Sequence, residues 1–110
     1  MIARSWDGTV PADRADDYFA YLSRTGVPDL QATPGNLGVF VLRLVEGELA
    51  YFRMISLWES QSDIQAFAGD PVERARYYPE DADFLLELAP EVEHFEVLHA
   101  PGDVAARGAG

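Results

Sequence analysis

Two long apolar runs, Leu37–Val45 and Leu49–Trp58, meet at Glu46-Gly47-Glu48, and no other stretch constrains the fold as tightly. Alternating residues on both sides of a short Gly-containing junction predict a β-hairpin of two long strands. A strand at Ile2–Gly8 and a helix precede the hairpin; a helix and a strand at Val92–His99 follow it. The order βαββαβ predicts one α+β domain, a four-stranded antiparallel sheet with its helices on one face. That arrangement leaves the other face bare. Leu37, Val39, Val41, Arg43 and Val45 share one side of the first hairpin strand, and Gly38, Phe40, Leu42 and Leu44 the other, so both sides are mostly apolar. A second copy of the chain is therefore expected over the bare face. Periodicity alone does not say which face that is.

The helices follow from local signals. Pro11 suits a first helical turn, and Asp13, Asp16 and Asp17 place negative charge at the positive end of the dipole. Ala15, Tyr18, Phe19 and Leu22 form the apolar stripe, and Gly26 with Pro28 reads as the stop, leaving Asp29–Pro34 as a connector. Ser60 with Asp63 resembles a capping box ahead of the stripe Ile64, Phe67 and Ala68, and Gly69-Asp70-Pro71 ends that helix. A short helical piece at Val72–Arg76, the segment Tyr77-Tyr78-Pro79-Glu80-Asp81 and a helical turn through Phe84, Leu85 and Leu86 make an insertion long enough to wall a pocket. The domain spans residues 1–100, and 101–110 reads as a flexible tail.

Composition narrows the chemistry. Nineteen acidic against eight basic residues give a net charge of -11, which repels phosphate backbones and anionic lipid, so neither nucleic acid nor a membrane is an expected partner. The absence of cysteine removes disulfides, thiolate nucleophiles and iron–sulfur ligation. No leader or long apolar span is apparent, and a cytoplasmic location is the default expectation. There is no phosphate-binding loop, Ser-His-Asp order or paired-histidine metal motif.

Pro34-Gly35, the strand end Ser56-Leu57-Trp58-Glu59-Ser60 and the helix Ile64–Ala68 give the chain a resemblance to the antibiotic biosynthesis monooxygenase family of the dimeric α/β-barrel superfamily. The resemblance runs from Met1 to about Leu98. It implies a ferredoxin-like fold, a homodimer with two sheets face to face, and a pocket between each sheet and its helices. For some members it implies oxygenation of aromatic polyketides without metal, flavin or haem, so no cofactor is expected. Many members carry a histidine on the second helix, where this chain has Phe67 and Ala68. The haem-degrading branch uses an Asn-Trp-His set, and no histidine stands between Ile2 and Glu93. Haem is therefore not the expected ligand.

His94 lies on the same strand face as Glu96, and the ferredoxin-like order puts Arg4 and Trp6 beside them. A histidine there is a candidate base for a phenol or hydroquinone, the step that makes an electron-rich carbanion for O₂. An ion-paired network at a dimer seam is the competing reading. Tyr77 and Tyr78 are further catalytic candidates if a hydroxyl points into the pocket; otherwise their rings anchor the insertion. Trp6, Phe40, Phe52, Trp58 and Phe67 are candidate stacking surfaces for a flat ligand or ordinary core, with Arg4 and Glu96 as polar binding candidates and no metal ligands. Arg43 and Arg53 read as binders of an anionic oxygen or as edge charges, and the group Glu80-Asp81-Asp83 as a solvated helix start. The expected function is a small-molecule enzyme of the monooxygenase type. Its rivals are a non-catalytic ligand-binding or accessory protein and an isomerase or cyclase using His94 and Glu96.

Overall fold

The structure, a computed structural model, describes residues 1–104. Strand β1 (Ile2–Pro11) leads through a 3₁₀ turn (Ala12–Arg14) to helices α1 (Ala15–Arg24) and α2 (Gly26–Ala32). The hairpin β2 (Asn36–Glu46) and β3 (Leu49–Trp58) follows, then α3 (Gln61–Ala68), the one-turn α4 (Asp81–Phe84) and β4 (Glu93–Glu96). The four strands form an antiparallel sheet in the order β2-β3-β1-β4, the ferredoxin-like α+β arrangement. The hairpin closes through Gly47 and Glu48, and Gly47 takes φ +59°, a left-handed conformation that glycine adopts without a Cβ penalty.

Register assigns the two faces. Arg4, Trp6 and Val10 of β1 and Ala50, Phe52, Ser56 and Trp58 of β3 are buried beneath the helices. Tyr18, Tyr21 and Leu22 of α1 pack on Phe52, Val10 and Trp6, and Leu30 of α2 joins Trp58, Ile64 and Val72 in a second cluster. The opposite face carries Phe40, Leu42 and Leu44 of β2, Tyr51 of β3 and Phe95 of β4 in the open, with Phe40 52%, Leu44 59% and Phe95 52% exposed.

Several local expectations change. Gly26 and Pro28 do not stop the helical layer; the chain breaks at Thr25 and restarts as α2, whose first turn has no partner for its N–H groups and so tolerates Pro28. Leu30, read as connector, anchors that helix. Residues 72–76 are not helical. Instead 73–75 run antiparallel to 90–92, through Val92 N–H to Glu73 O and Ala75 N–H to Pro90 O, and so fasten both ends of the insertion together. β1 is longer than expected and β4 shorter, and most of the expected tail, 105–110, lies outside the described residues.

The expected cap is present. Ser60 Oγ accepts from Asp63 N–H at 3.4 Å and donates to the Asp63 carboxylate at 2.8 Å. Ser60→Ala removes both bonds at the start of α3 and is expected to cost about 1 kcal/mol. A lower urea midpoint at unchanged slope is the check; an unmoved midpoint means the cap contributes nothing.

Candidate functional site

A cavity of about 40 Å³ lies between the sheet and its helical layer. Arg4, Trp6, Met54 and Ser56 rise from the sheet to form its floor. Leu22, Gly26, Leu30 and Phe67 come from the helices, and the insertion supplies Arg76, Tyr77, Tyr78, Asp81 and Val92. The lining is mostly apolar and aromatic, and it holds charges of both signs.

Arg4 is 5% exposed and reaches the insertion. Its Nη1 donates to Val72 O at 2.5 Å and to His94 Nε2 at 3.1 Å, and its Nη2 donates to Arg74 O at 2.9 Å. Among the described residues no carboxylate comes within ion-pair distance of it. Burial pulls its pKa down to about 10, with Glu73 pushing the other way, so it stays a cation at neutral pH. Because a guanidinium only donates, His94 Nε2 is the acceptor and its ring is the neutral form protonated on Nδ1. Burial and the neighbouring Arg4 charge both lower the His94 pKa.

Asp81 carries the opposite charge. The expectation of a solvated helix start is incorrect here: the residue is 4% exposed and lines the cavity. Tyr18 Oη donates to Oδ1 at 3.1 Å and Tyr78 N–H to Oδ2 at 2.7 Å, because the Tyr-Tyr-Pro-Glu turn folds α4 back over α1. Burial raises the Asp81 pKa, and those two hydrogen bonds only partly offset it. A carboxylate with no cationic partner and a raised pKa is chemically a proton acceptor.

The two tyrosines of the insertion have their hydroxyls engaged. Trp6 Nε1 donates to Tyr77 Oη at 3.2 Å, and Tyr77 donates onward to Ala89 O at 2.6 Å. Tyr78 donates to Asp29 of α2 at 2.5 Å, with Arg76 3.6 Å from the same carboxylate. Burial raises both phenol pKa values, with the Asp29 bond adding to that of Tyr78. Their rings wall the cavity while the hydroxyls tie the insertion to the rest of the molecule.

The remaining sequence candidates separate. Trp6 and Phe67 line the cavity with Arg4, and the guanidinium of Arg76 lies 4.8 Å from the Phe67 ring centre. Phe52 is core, edge-on to Tyr18 at 5.1 Å, and Trp58 is buried beside Phe67 with Nε1 on Ser56 Oγ. His94 touches the site only through Arg4, and Glu96 is exposed at the far end of the same short strand. Phe40 is on the opposite face of the sheet. Arg43 and Arg53 make exposed pairs with Asp16 and Asp7. Sequence reasoning missed Asp81, Ser56 and Met54. The one signal for Ser56 is register, which makes it the cross-strand neighbour of Arg4.

No protein-family model matches the chain, and no curated protein does. Solved structures do. A mutant of the haem degrader MhuD, with two manganese protoporphyrin IX molecules per active site, is 25% identical, with a TM-score of 0.63 over 93% of this chain and 99% of that one. MhuD from Mycobacterium tuberculosis with two haems in its active site is also 25% identical, with a TM-score of 0.62 over 93% and 100%. Its haem-free form is 26% identical, with a TM-score of 0.58 over 93% and 100%. The fold expectation is met, and the haem-degrading branch set aside on the sequence is the one that returns. Among the described residues no helix is long and apolar enough to cross a membrane, and no group of three or more His, Cys, Asp or Glu is placed to hold a metal ion.

Proposed function

We propose that this chain is a homodimeric small-molecule protein of the oxygenase type, whose pocket takes the edge of a flat aromatic molecule. The observation that carries the reading is the cavity between sheet and helices, walled by Trp6, Phe67, Tyr77 and Tyr78, with Arg4 and Asp81 as buried charges of opposite sign. Oxygenation without a resident cofactor needs a base that takes a proton from a phenol or quinol and leaves an electron-rich ring for O₂. Asp81 is the carboxylate in the lining suited to that proton, and it replaces His94, whose lone pair Arg4 already occupies. The open sheet face, with five large apolar side chains exposed, supports the dimeric part of the reading.

A second reading, haem as substrate, is favoured by the MhuD structures. The residues of this pocket fit it poorly. Haem iron takes a histidine, cysteine, methionine or tyrosinate ligand. Here the three tyrosine hydroxyls of the lining are engaged and His94 Nε2 is on Arg4, so the Met54 thioether is the one ligand type left, and it lines a space of about 40 Å³.

Both readings are separated by two assays on the purified protein. Oxygen uptake is expected with a subset of phenols or quinols and not with haemin, and haemin titration is expected to leave the Soret band that of free haemin. A sharp, saturating Soret shift with ascorbate-driven bleaching establishes the haem reading instead. Saturable binding of a phenol with no oxygen uptake establishes a binding protein and rules out the oxygenase.

A further inference from the structure

We infer that the rung of the sheet made by Ser56, Arg4 and His94 is a seat for an anionic oxygen, so that the molecule this pocket takes bears a carboxylate or a phenolate. The ring of that molecule rests on the small-molecule reading above; the head group rests on the rung itself. Register sets the three residues side by side, Ser56 opposite Arg4 on one flank and His94 opposite Arg4 on the other. Arg4 and Ser56 both line the cavity, and each is at least nine-tenths buried.

The donors are set for an anion. A guanidinium has five N–H groups. Val72 O, Arg74 O and His94 Nε2 take three of them, which leaves Nε–H and one Nη2 N–H without an acceptor among the described residues. Ser56 Oγ accepts from Trp58 Nε1 at 2.9 Å, so its own hydrogen is directed elsewhere. Arg4 and Ser56 thus offer three unused donors, while the acceptors of the rung, the imidazole Nε2 and the Ser56 oxygen, are already engaged.

Charge makes the same case. The groups bonded to Arg4 are carbonyl dipoles and a neutral ring, and the Glu73 carboxylate that acts on it is exposed and outside ion-pair distance, so a positive charge stays buried without a direct counter-charge. Asp81, the carboxylate of the lining, is held by Tyr18 and the Tyr78 amide rather than by Arg4. Arg76 is exposed at the rim and faces Asp29, so it does not compete for the buried position. The cavity of about 40 Å³ matches a head group of a few atoms. The ring of a larger ligand then falls toward Phe67 and Tyr78, the half-buried part of the wall.

The test compares isosteres that differ in charge. Benzoate against benzamide, and acetate against acetamide, are titrated into the full chain at constant ionic strength, with affinity read by calorimetry or NMR and stability by thermal midpoint. Wild type is expected to favour each carboxylate over its amide by about tenfold or more, as charge-assisted bonds to a buried guanidinium require. Arg4→Met is expected to abolish the preference, Arg4→Lys to keep part of it, and Ser56→Ala to reduce it severalfold. Should Arg4→Met fail to fold, the wild-type preference and the Ser56→Ala loss still decide. Equal binding of benzoate and benzamide overturns the anion seat while leaving the aromatic pocket intact. A preference for acetate with no binding of either ring compound supports the seat and removes the aromatic reading. No carboxylate preference in either pair overturns the seat outright.

Discussion

The double variant Phe40→Asp/Leu44→Asp is expected to sediment as a monomer at concentrations where the wild type is a dimer. The two side chains are 52% and 59% exposed on the face of the sheet that no helix covers. They share it with Leu42, Tyr51 and Phe95; Arg53 and Asp7 on the same face pair at 2.7 Å, and Glu93, also on it, acts on Arg53 from the β4 edge. A contiguous apolar surface on a chain of net charge -11 points to a partner that is itself apolar at the contact, and a second copy supplies one by symmetry. In an isologous interface each substitution appears twice, so four carboxylates enter it. Each unpaired buried charge costs several kcal/mol, which weakens association by roughly three orders of magnitude or more. Val45→Asp is the control: Val45 is 51% exposed but lies on the other side of β2, and it is expected to leave the dimer intact. Sedimentation velocity across a concentration series distinguishes these outcomes. A wild type that is monomeric at micromolar concentration, or a double variant that still dimerises, removes the face-to-face dimer.

What the sequence made legible is what periodicity and punctuation encode. The hairpin at Gly47, the cap at Ser60 and the grouping of Phe52, Ser56 and Trp58 on one side of their strand follow from alternation or from a residue with one conformational use, whereas the choice of that side as the helix-facing one does not, because both sides are apolar. Gly26 and Pro28 misled for a physical reason. The same pair that ends one helix also suits the first turn of the next, and only the burial of Leu30 distinguishes the cases. The site was legible only in part. Arg4 and Trp6 were visible because a strand period assigns their face, whereas Asp81 belongs to an irregular insertion with no period. Its neighbours Glu80 and Asp83 are exposed, as acidic groups usually are, and nothing in the spacing marks Asp81 as the member that turns inward against Tyr18. Tyr77 and Tyr78 were recognised as unusual, but the partners of their hydroxyls, Ala89 and Asp29, lie 12 and 49 residues away.

Asp81 therefore gives the sharpest test of the site, through stability and its dependence on pH. Removing the acceptor in Asp81→Ala leaves the Tyr18 hydroxyl and the Tyr78 amide without partners in a buried setting. At about 1–3 kcal/mol for each stranded donor, the variant is expected to lose roughly 3 kcal/mol. A solvated helix-start residue would lose only a few tenths. Asp81→Asn behaves differently. Its carbonyl can accept from Tyr78 N–H and its amide can donate to Tyr18 Oη, so the contacts survive while the charge goes. Burial holds the folded Asp81 pKa above its ordinary value of 3.8, so between those two pKa values the native state binds more protons than the unfolded chain. Stability from this group is greatest below 3.8 and declines as pH rises through the folded pKa. His94 acts in the opposite sense: its folded pKa lies below 6.5, so its contribution is present above 6.5 and is lost as pH falls through the folded value. Asp81→Asn removes the first slope and keeps the second. The stability of the variant relative to wild type is expected to grow as pH rises from about 3.8 and to level off above the folded Asp81 pKa. Urea melts of both proteins at half-unit steps from pH 3.5 to 8 give that difference directly. A difference that is flat with pH means the carboxylate is solvated in the folded state, and both its place in the cavity wall and its role as proton acceptor would then be wrong.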